Sequence, residues 1–314
     1  MIRTYLLQDL EPVVRLWNQA LPADKVTPQR LRRHLLEDEN FDPQLFLLEE
    51  EGADLRGFAV GLVRRVPYHD RGLEEGTGWV YAFGVGPDCR RAGVGTALLA
   101  ELERRLALRG ARRLVLGLYS PGYLMPGLDV RQYPQAAALL AGRGYRLGDG
   151  HLSMYRTLFD YTIPEEVAQK QAQALAQGYR FVRCTPDRGG ALLDFVGRWF
   201  SAGWLHHTRQ LLARDDPGLW IWLCLDPQGE VAGFAQRGMG GLDHRFGPFG
   251  VRPDCRGQSL GSILLAQMLY DLSCQGMYLT YFMTTDQPGA RMYARHGFAV
   301  YRRFADCVRP APGE

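Results

Sequence analysis

Val85-Gly-Pro-Asp-Cys-Arg90-Arg-Ala-Gly93-Val-Gly95-Thr-Ala-Leu-Leu99 and Val251-Arg-Pro-Asp-Cys-Arg256-Gly-Gln-Ser259-Leu-Gly261-Ser-Ile-Leu-Leu265 are one fifteen-residue pattern, present twice without a gap. Each copy reads as the end of an apolar strand, a short turn and the start of an apolar helix. N–H groups at a helix start lack partners, and the helix dipole adds partial positive charge there. Each copy therefore reads as a phosphate cradle. Two cradles in one chain imply a duplicated domain with a nucleotide-type binding site.

Other landmarks repeat in step. Gly57-Phe-Ala59 and Gly233-Phe-Ala235 lie in apolar strands ahead of each cradle, and Asp226-Pro-Gln-Gly229 reads as a hairpin turn. After each cradle comes an apolar helical stripe, Leu98, Leu99, Leu102, Leu106 in one half and Leu264, Leu265, Met268, Leu269, Leu272 in the other. Gly110 and Gly276 fall where C-terminal caps belong. A later helix ends at Gly144-Tyr145 in the first half and Gly297-Phe298 in the second. Arg90 precedes Gly144 by 54 residues, whereas Arg256 precedes Gly297 by 41. The surplus is assigned to the apolar segment 120–132, which is expected beside or between the halves. Thr162 and Glu165 are spaced for a capping box that opens a helical connector stopped by Gly178. The expected division is thus 1–160, a connector at 161–177, and 178–314.

Bulk properties agree with two domains for 314 residues. A net charge of +3 is too small to argue for nucleic acid, and no apolar run is long enough for a membrane helix. The six cysteines include no Cys-x-x-Cys pair, so metal is not expected and reduced, mostly buried thiols are. These features, with no secretory segment read at the N-terminus, point to a cytoplasmic protein with no membrane or nucleic-acid partner, as a monomer or homodimer.

With these motifs the chain resembles the GCN5-related N-acetyltransferase superfamily, twice over, and its two-domain build resembles that of the mycothiol synthases. The family motif Gln/Arg-x-x-Gly-x-Gly/Ala is met by Arg90, Gly93 and Gly95, and by Arg256 and Gly261, with Ser259 where a glycine is usual. The resemblance implies an α/β (α+β) fold of two tandem domains, each a mixed, mostly antiparallel twisted sheet flanked by helices. It implies acetyl-CoA as cofactor. The implied contacts are Val85, Arg90, Arg91, Gly93, Val94, Gly95 and Thr96 in the first half. In the second they are Phe249, Val251, Arg256, Gly257, Gln258, Ser259, Gly261, Ser262 and Asp286. Glycines 93, 95 and 261 are expected where a pyrophosphate must approach the backbone closely.

The resemblance also implies direct attack of an amine on the acetyl carbonyl. A tyrosine four residues before the Gly-aromatic step would serve the leaving thiolate. Tyr293 holds that place in the second half and Leu140 in the first. A phenol stays protonated at neutral pH and can donate to sulfur, which leucine cannot. The C-terminal domain is therefore expected to be catalytic, with Asp243 and His244 as base candidates, and the N-terminal domain degenerate or regulatory. The expected acceptor is a small-molecule primary amine. The alternatives are a peptide or protein N-terminus, and an acyl-CoA sensor or scaffold without turnover.

Overall fold

A computed structural model describes residues 1–52, 54–311 and 313. Two compact units are present, one from Met1–His151 plus the segment from Arg303 onward, the other from Leu152–Arg302.

In the first unit Ile2–Thr4 (β1) leads to Leu10–Ala20 (α1), where Leu10, Val13, Val14 and Trp17 recur at helical spacing and are all buried. Thr27 caps the next helix, Pro28–Leu31 (α2), by accepting from the Arg30 N–H, and a π-helical turn continues it to Leu36. Phe46–Glu51 (β2), Asp54–Leu62 (β3) and Thr77–Val85 (β4) then form antiparallel neighbours. Val94–Leu108 (α3) follows, then Arg113–Leu116 (β5), Pro134–Gly142 (α4) and Arg146–Thr157 (β6). The apolar core lies on both sheet faces, against α1 and α2 on one side and α3 and α4 on the other. Each fully buried large apolar side chain contributes roughly 1.5–3 kcal/mol there.

β4 and β5 are parallel, and they pair only from Thr77–Val80 against Arg113–Leu116. Gly117 and Leu118 both take left-handed backbone (φ 65° and 56°), which turns the chain out of β5 and leaves the rest of β4 without that neighbour. The segment after this turn fills the unit's own core: Leu124, Met125 and Leu128 are buried, and Leu128 exchanges two backbone hydrogen bonds with Ala305. The 120–132 stretch is thus a structural part of the first unit.

The second unit begins with Leu152–Thr157 of β6. Glu165–Ala176 (α5) is capped at Pro164 without a side-chain bond. The expected capping box does not form, because the helix starts at Glu165 and Thr162 lies two residues too early. Gly178 stops it as expected, at φ 90°. Arg180–Arg183 (β7), Gly189–Trp199 (α6), Ala202–Leu212 (α7), Ile221–Leu225 (β8), Val231–Arg237 (β9) and Phe246–Val251 (β10) follow. Four strands make an antiparallel sheet in the order β10-β9-β8-β7. Leu260–Cys274 (α8) is apolar nearly all round and buried accordingly. Leu279–Thr285 (β11) pairs antiparallel with β6, and its backbone pairing toward β10, among the described residues, is a single parallel bridge, Arg245 to Tyr281. Gln287–Arg295 (α9) leads into Ala299–Arg309 (β12).

β12 changes unit along its length. From Arg303 it belongs to the first unit, where Val308 and Arg309 pair antiparallel with Val115 and Leu114 of β5. Cys307 is fully buried there, and Arg309 joins Arg143 on the carboxylate of buried Glu103, both at 2.6 Å. Without this strand the β5 edge and the core over it are uncovered, a loss on the order of 5 kcal/mol, comparable with the whole stability of a small domain. A chain of residues 1–160 is therefore expected to show no cooperative thermal transition in near-UV circular dichroism. A transition like that of the full chain would contradict this.

Candidate active site

The two cradles share one backbone path. In the first, Arg91 and Gly93 are left-handed (φ 62° and 80°); in the second, Gly257 and Ser259 are (81° and 63°). Each loop thus places one glycine and one ordinary residue at the same two positions, in opposite order. A left-handed non-glycine costs roughly 1–2 kcal/mol, so each loop carries one such strained residue. The first helical hydrogen bond runs from Ala97 to Gly93 O (2.9 Å) in one unit and from Ile263 to Ser259 O (3.1 Å) in the other. Among the described residues, the N–H groups of 91–96 and 257–262 have no partner. Six consecutive free donors at the start of a long helix fit a pyrophosphate.

The glycines serve different ends than close approach alone. A Cβ at Gly93 or Gly257 would meet nothing within 4 Å, so backbone conformation explains them. A Cβ at Gly95 would stand 3.2 Å from Val85 Cγ2, and one at Gly261 3.2 Å from Phe249 Cζ. These two keep the helix start tight against the strand end.

The remaining motif residues divide into open and engaged groups. Arg91 and Thr96 are exposed and Val94 is buried. Arg90 donates through Nε to Val85 O (3.4 Å), as Arg256 does to Val251 O (3.2 Å), so both arginines fold back over the strand end. Gln258 Oε1 accepts from the Tyr179 hydroxyl at 2.9 Å. Ser262 Oγ lies 3.0 Å from His296 Nε2, a partner the sequence reading missed although it abuts the Gly297 landmark. Burial, with Arg156, Lys170 and Arg295 nearby, lowers the His296 pKa below its ordinary 6.5 and keeps it neutral at pH 7. Asp286 caps α9 by accepting from the Gly289 N–H (2.8 Å).

Tyr293 on α9 sits across the gap between the diverging strands. Its ring lies 6.1 and 6.2 Å from Phe246 and Phe249 of β10, and 4.4 Å from Phe282 of β11. Burial first, then the charge of Asp286, raises its phenol above the ordinary value of 10.0. The hydroxyl thus keeps its proton through neutral and mildly alkaline pH. Leu140, its counterpart, is fully buried in the first unit's core. His244 stands at the vertex of the gap: its carbonyl accepts from Thr280 Oγ1 (2.9 Å) and the Tyr281 N–H (3.3 Å), and its ring lies 5.3 Å from that of Tyr281. Asp243 is exposed, and its carbonyl accepts from buried Arg237 (3.2 Å).

The corresponding face of the first unit is closed. The buried Tyr81 hydroxyl donates to Gly122 O (2.7 Å). Arg64 donates to Ser120 O and Glu74 Oε2, both at 2.6 Å, among the rings of Tyr68, Trp79 and Tyr119. Glu74 is thus an ion-pair partner, of Arg71 as well as of Arg64.

Among the described residues no helix is long and apolar enough to cross a membrane, and no cluster of three metal-binding side chains is seen.

Residues 10–122 match the acetyltransferase (GNAT) family model, and residues 217–300 match the acetyltransferase (GNAT) domain model. An acetyltransferase of Pectobacterium atrosepticum is 31% identical over 116 residues, 37% of this chain and 73% of its own length. One of Photorhabdus laumondii is 32% identical over 117 residues, again 37% of this chain and 72% of its own length. Among solved structures, a GCN5-related glucosamine N-acetyltransferase region of a fungal multi-domain β-N-acetylglucosaminidase superposes at TM-score 0.80 with 19% identity. That match covers 98% of this chain but 38% of that longer one. A tandem GNAT protein from the clavulanic acid biosynthesis pathway superposes at 0.65 with 17% identity, covering 98% of each chain. With both halves matched and both cradles built alike, the chain belongs to the GNAT acetyltransferase family, as a tandem, two-domain acyltransferase.

Proposed function

We propose that the second unit transfers the acetyl group of acetyl-CoA to the primary amine of a small molecule, while the first unit keeps the fold and cradle without the chemistry. The carrying observation is Tyr293, whose ring bridges the two diverging strands of the second unit where the first has Leu140. The closed face of the first unit points the same way, since its own segment 120–128 occupies the space beside β4.

The N–H groups of 257–262 are suited to hold the pyrophosphate, and Ser262 is braced from behind by His296. Bound acetyl-CoA supplies a thioester whose carbonyl carbon takes the amine nitrogen as its C–S bond breaks. Beyond the Arg245–Tyr281 bridge, β10 has no strand neighbour on the β11 side among the described residues, so its slot-facing N–H groups are available to a developing oxyanion. The Tyr293 hydroxyl carries the proton for the leaving sulfur. His244, at the vertex, is better placed than exposed Asp243 to take a proton from the incoming ammonium.

Tyr293→Phe keeps the ring, so its melting temperature should stay near that of the parent while kcat falls about 10²–10⁴-fold. Full kcat in this variant would reject the assignment. The raised pKa of Tyr293 predicts that no descending limb from its deprotonation appears in the kcat–pH profile below about pH 10. Gly261→Val forces side-chain carbons against Phe249 and should weaken CoA binding to the second unit roughly tenfold or more. Gly95→Val should do so in the first unit, with turnover tracking only the former. Calorimetric titration of each variant, beside its steady-state rate, tests the pair.

A further inference from the structure

One buried cation of the second unit, Arg245, has no side-chain partner among the described residues. Arg245 is 5% exposed, its Nε is buried without a hydrogen bond, and no ion pair is seen for it among the described residues. Several other buried or half-buried arginines of this protein have a polar partner, Arg64 in Glu74, Arg183 in Asp271, Arg237 in Gln275, Arg143 and Arg309 in Glu103, while half-buried Arg156, its Nε also unbonded, lies over the Tyr161 ring. Burying a guanidinium without compensation is expensive, and such groups persist where something else completes them.

The place of Arg245 is specific. It forms the parallel bridge to Tyr281 at the vertex from which β10 and β11 diverge. The next residues on the two strands, Phe246 and Phe282, pack with Tyr293. Side chains alternate along a strand, so Arg245 and Tyr281 face the opposite side of the sheet. Gln236 faces that side too, because its neighbour Arg237 pairs with Phe246. Gln236 is fully buried; its Nε2 donates to Thr208 Oγ1 of α7 (2.7 Å), and its Oε1 has no partner. Tyr301 borders the same face, 6.4 Å from the Tyr281 ring; burial raises its phenol, and Arg245 is among the charges opposing that rise. One face at the vertex thus holds an unfilled donor and an unfilled acceptor.

We propose that this face recognises the acceptor, and that the acceptor is an aminocarboxylate. Arg245 receives its carboxylate, and Gln236 Oε1 receives an N–H or O–H of the same molecule. The planar guanidinium fork matches a carboxylate, and one cation balances its single charge. A neutral amine would leave Arg245 uncompensated in the complex as well. The proposal rests on the second unit being the catalytic one.

The test uses the full-length protein, acetyl-CoA and a panel of the common amino acids, each beside its carboxamide and its decarboxylated amine, with released thiol as readout. For at least one set the acid should exceed its neutral counterparts by about tenfold or more in kcat/KM, mainly through KM. Arg245→Met should bring that ratio to about one, and Arg245→Lys should restore part of it. Because the charge is unpaired without ligand, Arg245→Met should melt no lower than the parent and bind CoA as well; marked destabilisation would make Arg245 a structural group and overturn the proposal. So would ratios within twofold throughout, or an unchanged ratio in Arg245→Met. If no amine is turned over, the functional reading fails on its own. Calorimetry of the same panel against CoA-loaded protein then decides the subsite: binding of an acid lost in Arg245→Met supports it, and equal binding of acid and amide rejects it.

Discussion

Two parallel strands that stop pairing partway leave backbone groups of each without a sheet partner, and that loss must be offset locally. Both units accept this cost at the same place, after Val80–Leu116 in one and after Arg245–Tyr281 in the other. The halves differ in what occupies the opening. In the second unit an aromatic group spans it, with Tyr293 touching rings from both strands. In the first, Gly117 and Leu118 send the chain back so that Leu124 and Met125 fill the face beside β4.

The cradles were legible in sequence because their requirements are local. Helix starts, cap glycines and turn glycines depend on backbone angles that few residues adopt, and Gly110, Gly144, Gly276 and Gly297 all take them. Tyr293 could be placed by register from Gly297, but its rings from two strands could not be foreseen. A second reason for Gly95 and Gly261 is not legible in sequence, because their crowding comes from Val85 and Phe249, not from within the turn. Contacts of long sequence separation carried no signal at all: Arg309 on Glu103, or segment 120–128 against Tyr81. Arg245 lies within two residues of both base candidates, yet a buried unpaired charge is visible only once its surroundings are.

The two halves hold some of their buried charges differently. In the first unit Arg64 has an acid, a carbonyl and three rings, and Glu103 has two arginines and the Tyr145 hydroxyl. The second leaves Gln236 Oε1 and Arg245 Nε open.

The change of unit within β12 reaches into biosynthesis. A ribosome delivers all of residues 152–302 before the strand that the first unit needs, Arg303–Arg309, leaves the exit tunnel. The usual order, in which the leading domain matures while the next is being made, is closed to this chain. The nascent leading half must wait with the β5 edge unpaired, and unpaired edges invite mispairing and proteases. A chain whose synthesis stalls before Arg303 therefore marks itself as incomplete, through the half that was made first.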